Sequence, residues 1–238
     1  MRDILQKIYN LLEYKLGELG IILAAVPFVL IAVLICWILR RVWHKKKFGY
    51  RFKTVRKKAR LNEAIRLLLL FWALETVCIT LFPMWFWTAV WDWMANGYHQ
   101  VGELHFVPPK FELTLWRVIT EPEFAEIAFR SGIVIEMVEN VLLFVPLGLG
   151  LPFIWKKGFF WKTLLTGFSF TCFIELVQPF LSREGTLNDV VCNTLGTVVG
   201  LLLFLLINVM FPRFVRKGRI TVKSKSDFHH LPTQSTIL

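Results

Sequence analysis

The sequence predicts an all-α, polytopic membrane protein of about five transmembrane helices, N-terminus outside and C-terminus inside, on three observations. Apolar residues come in runs of about 20, the length that crosses a bilayer core of about 30 Å. Hydrophobic residues make up 55% of the chain, with ten tryptophans and 22 phenylalanines, whereas a soluble domain holds about 45–50% in short periodic stretches. Basic residues collect between alternate runs, and positive residues near the ends of spans mark the cytoplasmic side.

Each element follows from its own segment. Residues 1–18 lack the basic-then-apolar layout of a cleavable signal. Ile4, Leu5, Ile8, Leu11, Leu12 and Leu16 share one helical face there, which predicts an interfacial helix on the outer surface. The first span, Gly20 to Leu39, is uncharged and makes residues 19–43 an N-terminal anchor. Residues 44–62 are basic and are expected to form a cytoplasmic loop. The second run, Leu67 to Val90, carries one charge, Glu75. An extracellular loop of residues 95–132 follows, irregular around its Gly and Pro residues. Helically spaced Phe111, Leu115, Trp116 and Ile119 predict a short interfacial helix within it. The third run is uncharged from Asn140 to Trp155 and its apolar stretch starts as early as Ile133. The fourth, Thr163 to Ser182, holds only Glu175, and the fifth, Val190 to Phe211, holds no charge. Residues 63–211 thus read as a four-helix membrane domain and 212–238 as a polar cytoplasmic tail.

A net charge of +11 invites a nucleic-acid reading, but the positions of the charges argue against one. Twelve of the 28 Lys and Arg residues lie between Arg40 and Arg66. Others follow the third run (Lys156, Lys157, Lys162) and the fifth (Arg213, Arg216, Lys217, Arg219). All three segments give the same orientation, and the loop expected outside is acidic (Glu103, Glu112, Glu121, Glu123, Glu126). The basic loop is also suited to anionic lipid headgroups, at about 1 kcal/mol per residue near the surface. Cys36, Cys78, Cys172 and Cys192 all fall within the runs, as packing residues rather than disulfide partners. His99 and His105, with Asp92 and Glu103, read as solvated loop residues, so neither a metal nor a cofactor is expected.

Polar residues within or beside spans are costly, and a convergent set is a functional-site candidate. Glu136, Glu139 and Asn140 open the third run, ahead of Pro146, which frees a carbonyl about one turn earlier. Glu175 and Gln178 sit at i, i+3 near the end of the fourth. Arg183 lies in the following turn, and Asp189, Asn193, Gly196 and Gly200 form one stripe on the fifth. At 1.5 Å per residue, Glu175 lies about 12 Å inward from Arg183 and Asn193 about 6 Å inward from Asp189. Asn140, Glu175, Gln178, Arg183, Asp189 and Asn193 are therefore expected to meet in one layer near the outer face. Arg183 is expected to pair with Glu175 or Asp189 or to hold a ligand. Pro146, Gly148, Gly196 and Gly200 are expected to serve helix packing, the last two as a small-xxx-small pair. Glu75 is expected to face the same cavity from below.

The sequence Asn140 with Phe144-Val145-Pro146-Leu147-Gly148, then Glu175-Leu176-Val177-Gln178, then Arg183 ahead of Asp189-Val190-Val191-Cys192-Asn193-Thr194-Leu195-Gly196, resembles the VanZ-like family. That family is named for a membrane protein associated with resistance to the lipoglycopeptide teicoplanin. The resemblance runs from about Glu63 to Phe211 and leaves the first span and basic loop outside. It implies a multi-pass protein of a bacterial, Gram-positive cell membrane.

Three function classes follow. The polar layer binds an amphipathic molecule: a membrane lipid, a lipid-linked cell-wall intermediate or the antibiotic itself. Alternatively it is an enzyme acting on such a lipid, with Glu175 or Asp189 as general base and Arg183 on a phosphate. A transporter would need polar groups through the full thickness, and the inner halves of the last three spans are almost purely apolar. No nucleophile motif, metal-ligand set or nucleotide loop supports the enzyme class, so binding is the favoured expectation.

Overall fold

A computed structural model describes residues 18–48, 52–97, 110–112, 133–155, 157–181 and 183–220. Among them are α1 (Glu18–Phe48), α2 (Phe52–Leu81), α3 (Met84–Asn96), β1 (Lys110–Glu112), α4 (Ile133–Ile154) and α5 (Phe159–Val177). A 3-10 turn (Gln178–Leu181), β2 (Glu184–Thr186), α6 (Leu187–Met210) and α7 (Pro212–Gly218) complete them. Five helices are long and apolar enough to cross a membrane: Ile22–Lys47, Ala59–Leu81, Ile133–Ile154, Phe159–Leu181 and Leu187–Met210. Many side chains exposed on them, among them Leu30, Leu142, Phe173 and Leu206, are apolar, as a lipid-facing surface requires. The helix expected on residues 1–18 and the chain beyond 220 lie outside the described residues.

Three expectations are corrected. The basic segment 44–62 is mostly helix, because α1 runs to Phe48 and α2 starts at Phe52. Lys, Arg, Ala and Leu are good helix formers, and between Arg40 and Arg66 only Gly49 is a helix breaker. The second apolar run is two helices rather than one. Pro83, at φ −67 and ψ 166, disfavours helix at Phe82, so α2 stops at Leu81 and α3 begins at Met84. α3 ends at Gly97, whose φ of 80 suits glycine and whose N–H donates to the Trp93 carbonyl at 2.8 Å. Finally, Phe111 lies in β1, paired in parallel with Gly185 of β2, while Leu115, Trp116 and Ile119 of the expected interfacial helix lie outside the described residues. Backbone pairing, with Lys110 to Glu184 at 3.7 Å, wins over the helical spacing.

The centre of the bundle is the α4–α6 seam. A side chain at Gly196 would overlap the Val141 carbonyl, one at Gly200 the Val145 carbonyl, and one at Gly148 the Thr197 carbonyl. Val141 meets Gly196 at one level and Val145–Gly148 meets Thr197–Leu201 at the next, a register that rises together along both helices, so α4 and α6 run parallel. α5 returns antiparallel, with Gly167 against the Thr197 side chain. The expected packing role of Gly148, Gly196 and Gly200 is therefore met by reciprocal close approach. Phe144, Ile174, Leu201 and Phe204 are fully buried around this seam. Trp72 of α2 stacks edge-on against Phe144, and its indole donates to the Leu143 carbonyl at 2.8 Å, one turn before Pro146. α3 instead covers α1: Trp87 and Trp91 bury Ala24 and Ala25, and Trp91 donates to the Ala24 carbonyl at 3.2 Å.

Candidate functional site

The polar layer starts from how α5 ends. Pro179 stops the helix ladder, the chain makes a 3-10 turn, and β2 crosses the end of α5. Gly185 makes that crossing fit, because any side chain there would overlap the Glu175 carbonyl and press on Pro179. The crossing brings the Thr186 N–H to 3.0 Å from Glu175 Oε2. Thr186 is also the N-cap of α6, its Oγ1 accepting from the Asp189 N–H at 3.0 Å. In a capping box the acid three residues into the helix accepts from the cap residue's own N–H. Here Glu175 of α5 accepts it instead. The Asp189 carboxylate accepts from Asn140 Nδ2 of α4 at 2.7 Å.

One turn deeper, Asn193 Nδ2 lies 2.9 Å from Thr171 Oγ1 of α5. On the α2 side, the carbonyls of Ile79 and Thr80 belong to the last turn of a helix and have no partner within it. Arg183 Nη1 donates to Ile79 at 3.0 Å and Gln178 Nε2 donates to Thr80 at 3.1 Å. A cation and an amide thus cap α2. Arg183 does not form the ion pair expected with Glu175 or Asp189, although both carboxyls feel its charge. It is needed at the helix end, where Pro83 has left carbonyls unserved.

All six predicted site residues occupy this end of the bundle. Glu175, Gln178 and Asn193 are buried, at 6%, 6% and 3% exposure, Asn140 and Asp189 are half-buried, and Arg183 is exposed. Gln178 Oε1 and Asn193 Oδ1 are buried without a partner. Glu136 and Glu139 are exposed on α4. Glu75 stands apart: its buried oxygens have no hydrogen-bond partner. It shares a helical stripe with Cys78, which packs against the α1–α3 aromatic cluster.

Sequence reasoning missed Thr186 and Thr171. Thr186 carried a readable signal, since Thr186-x-x-Asp189 ahead of an apolar run is a capping pattern. A second polar cluster, at the opposite end of the bundle, was also missed. Asn62 Nδ2 donates to the Gly218 and Phe153 carbonyls at 2.7 and 3.1 Å, and its Oδ1 accepts from Arg66 Nε at 2.8 Å. Arg219 Nε donates to the Pro152 carbonyl at 3.1 Å, and its guanidinium lies over the Phe159 and Phe204 rings. Burial holds that guanidinium below its ordinary pKa, though it stays charged. A single Asn in a basic stretch carries no such signal.

No curated protein and no solved structure matches the chain. A VanZ/LLP1 family model matches residues 67–208, which take in the whole polar layer and the α4–α6 seam and leave out α1 and the basic stretch. Matched over more than half its length, the chain belongs to the VanZ/LLP1 family.

Proposed function

We propose that this multi-pass VanZ/LLP1 membrane protein binds an amphipathic molecule in a polar cavity that faces outward from a bacterial, Gram-positive cell membrane. The ligand class is a membrane lipid, a lipid-linked cell-wall intermediate or a lipoglycopeptide such as teicoplanin, whose capture would contribute to resistance. The observation that carries this reading is a buried polar floor with unfinished bonding: Gln178 Oε1 and Asn193 Oδ1 lack partners among the described residues. Pure helix glue is complete when its bonds are made, and an orphaned buried polar group costs about 1–3 kcal/mol. Exposed Arg183 at the rim supplies the fork that suits a phosphate or carboxylate headgroup. The basic ends of α1 and α2 are suited to anionic lipid on the other leaflet.

Lipid analysis of the purified protein, with two variants, tests the reading. Arg183→Lys keeps a cation to cap α2 but loses the fork, so lipid retention should fall sharply. Glu175→Gln should keep part of it, because shape and hydrogen bonding survive. Wild-type lipid retention in both variants would reduce the layer to helix packing. Glu175 is also a positioned carboxylate, held by the Thr186 N–H, which is the observation favouring acid–base chemistry on a bound lipid. In that case Glu175→Gln keeps binding and loses turnover by about 10²–10⁴-fold. Orientation is tested by cysteine labelling of intact cells with an impermeant reagent. Ser131→Cys should label and Thr54→Cys should not; the reverse would turn the layer to the cytoplasm.

A further inference from the structure

The hydrogen-bond sense of the floor says which kind of headgroup it takes. Gln178 donates its amide N–H to the Thr80 carbonyl, and a carbonyl can only accept. Asn140 donates to the Asp189 carboxylate, which as an ion only accepts. The chemistry of the partners therefore sets the orientation of both amides. Asn193 turns its amide nitrogen toward the Thr171 hydroxyl, a group that can accept or donate. Every amide N–H in these bonds is directed into the protein, and the two buried atoms left over in the layer, Gln178 Oε1 and Asn193 Oδ1, are both acceptors. Gln178 and Asn193 are each more than nine-tenths buried. Gln178 follows Glu175 by three residues and Asn193 follows Asp189 by four, so the orphans and the two carboxyls gather at one end of the bundle. Among the described residues, the opposing charges at this end are Arg183, at the exposed rim, and Lys110, already paired with Glu184.

We infer that the floor takes a primary ammonium, and that the ligand is an amine-bearing amphiphile whose phosphate lies toward Arg183, as in an aminophospholipid headgroup. An ammonium supplies three donors and no acceptor, the complement of carboxyls and amide oxygens that have no donors left to offer. A phosphate or a bare carboxylate there would face two carboxyls and the unpartnered amide oxygens of Gln178 and Asn193. This inference rests on the binding reading above and narrows its ligand.

The test uses the full chain in nanodiscs or detergent, with three lipids of matched acyl chains and occupancy read by native mass spectrometry. Phosphatidylethanolamine has the phosphate and N–H donors, phosphatidylcholine the charge without N–H, and phosphatidylglycerol the phosphate without the amine. Phosphatidylethanolamine should bind about tenfold or more tighter than either of the others, the scale of one charge-assisted hydrogen bond. That preference should collapse in Glu175→Gln and in Asp189→Asn, so either variant serves if the other fails to fold. Equal binding of the three, tighter binding of phosphatidylglycerol, or a preference unchanged in both folded variants overturns the ammonium inference while leaving lipid binding in place. No lipid retained above a control membrane protein overturns the binding reading itself.

Discussion

Asn62 at one end of the bundle, and Gln178 and Asn193 at the other, are all buried amides, but only Asn62 has every bond made. Its two N–H groups reach Gly218 and Phe153 and its oxygen accepts from Arg66, joining α2, α4 and α7 in one knot. Gln178 and Asn193 each use their nitrogen and leave an oxygen unpartnered. The same functional group therefore closes the structure at the basic end and leaves it open at the other. A satisfied buried amide is accounted for by folding alone, whereas an unsatisfied one needs something further. Charge follows the division only in part: Arg219 gives its Nε to the Pro152 carbonyl and lies over two rings but leaves Nη2 buried without a hydrogen-bond partner, whereas Arg183 caps α2 from an exposed position.

The seam that both ends share gives the largest expected effect. Gly200→Leu places a side chain into the Val145 carbonyl and the α4 backbone, so α4 and α6 must separate. Overpacking costs about 1–3 kcal/mol, occasionally more, and two backbones have less room to give than side chains. The variant should fail to accumulate in membranes, read by immunoblot. Normal accumulation would mean that the ends are held independently of the seam.

Next in size is Asn62→Leu, which orphans two carbonyls and an arginine N–H. It should lower stability by about 2 kcal/mol, read as a reduced Tm in detergent, with lipid binding by the folded fraction unchanged. A loss of binding in that fraction would erase the functional distinction between the ends.

The mirror experiment, Asn193→Leu, removes one interhelical bond and the orphaned oxygen with it. Such bonds contribute about 0.6 kcal/mol on average in membrane proteins, so stability should change by less than about 1 kcal/mol. Lipid affinity should nevertheless fall. If Asn193→Leu destabilises as strongly as Asn62→Leu, the two amides do the same work and the comparison fails. Smallest is Arg219→Lys, where the charge remains but the stacked guanidinium is lost. A Tm change equivalent to about 0.5–1 kcal/mol is expected, the scale of an exposed cation–π contact.

Much of this was legible in the residues because the bilayer imposes simple rules. Span number followed from apolar run length, and the packing role of Gly196 and Gly200 from their spacing. The polar layer was readable because a polar group in an apolar run has few structural excuses. Local propensity also carried the helical basic segment, had its Lys, Arg and Ala content been weighed above its charge. Other features depended on contacts between segments distant in sequence. Pro83 dividing α2 from α3 was visible as a residue, yet only the folded chain shows α3 turning to cover α1. The diversion of Arg183 to the Ile79 carbonyl, and of the Thr186 N–H to Glu175, depended on which helix end lay within reach. The knot around Asn62 joins residues 91 and 156 positions apart. Residue type set which groups needed partners; packing chose the partners they found, because a hydrogen bond forms only where donor and acceptor come within about 3 Å.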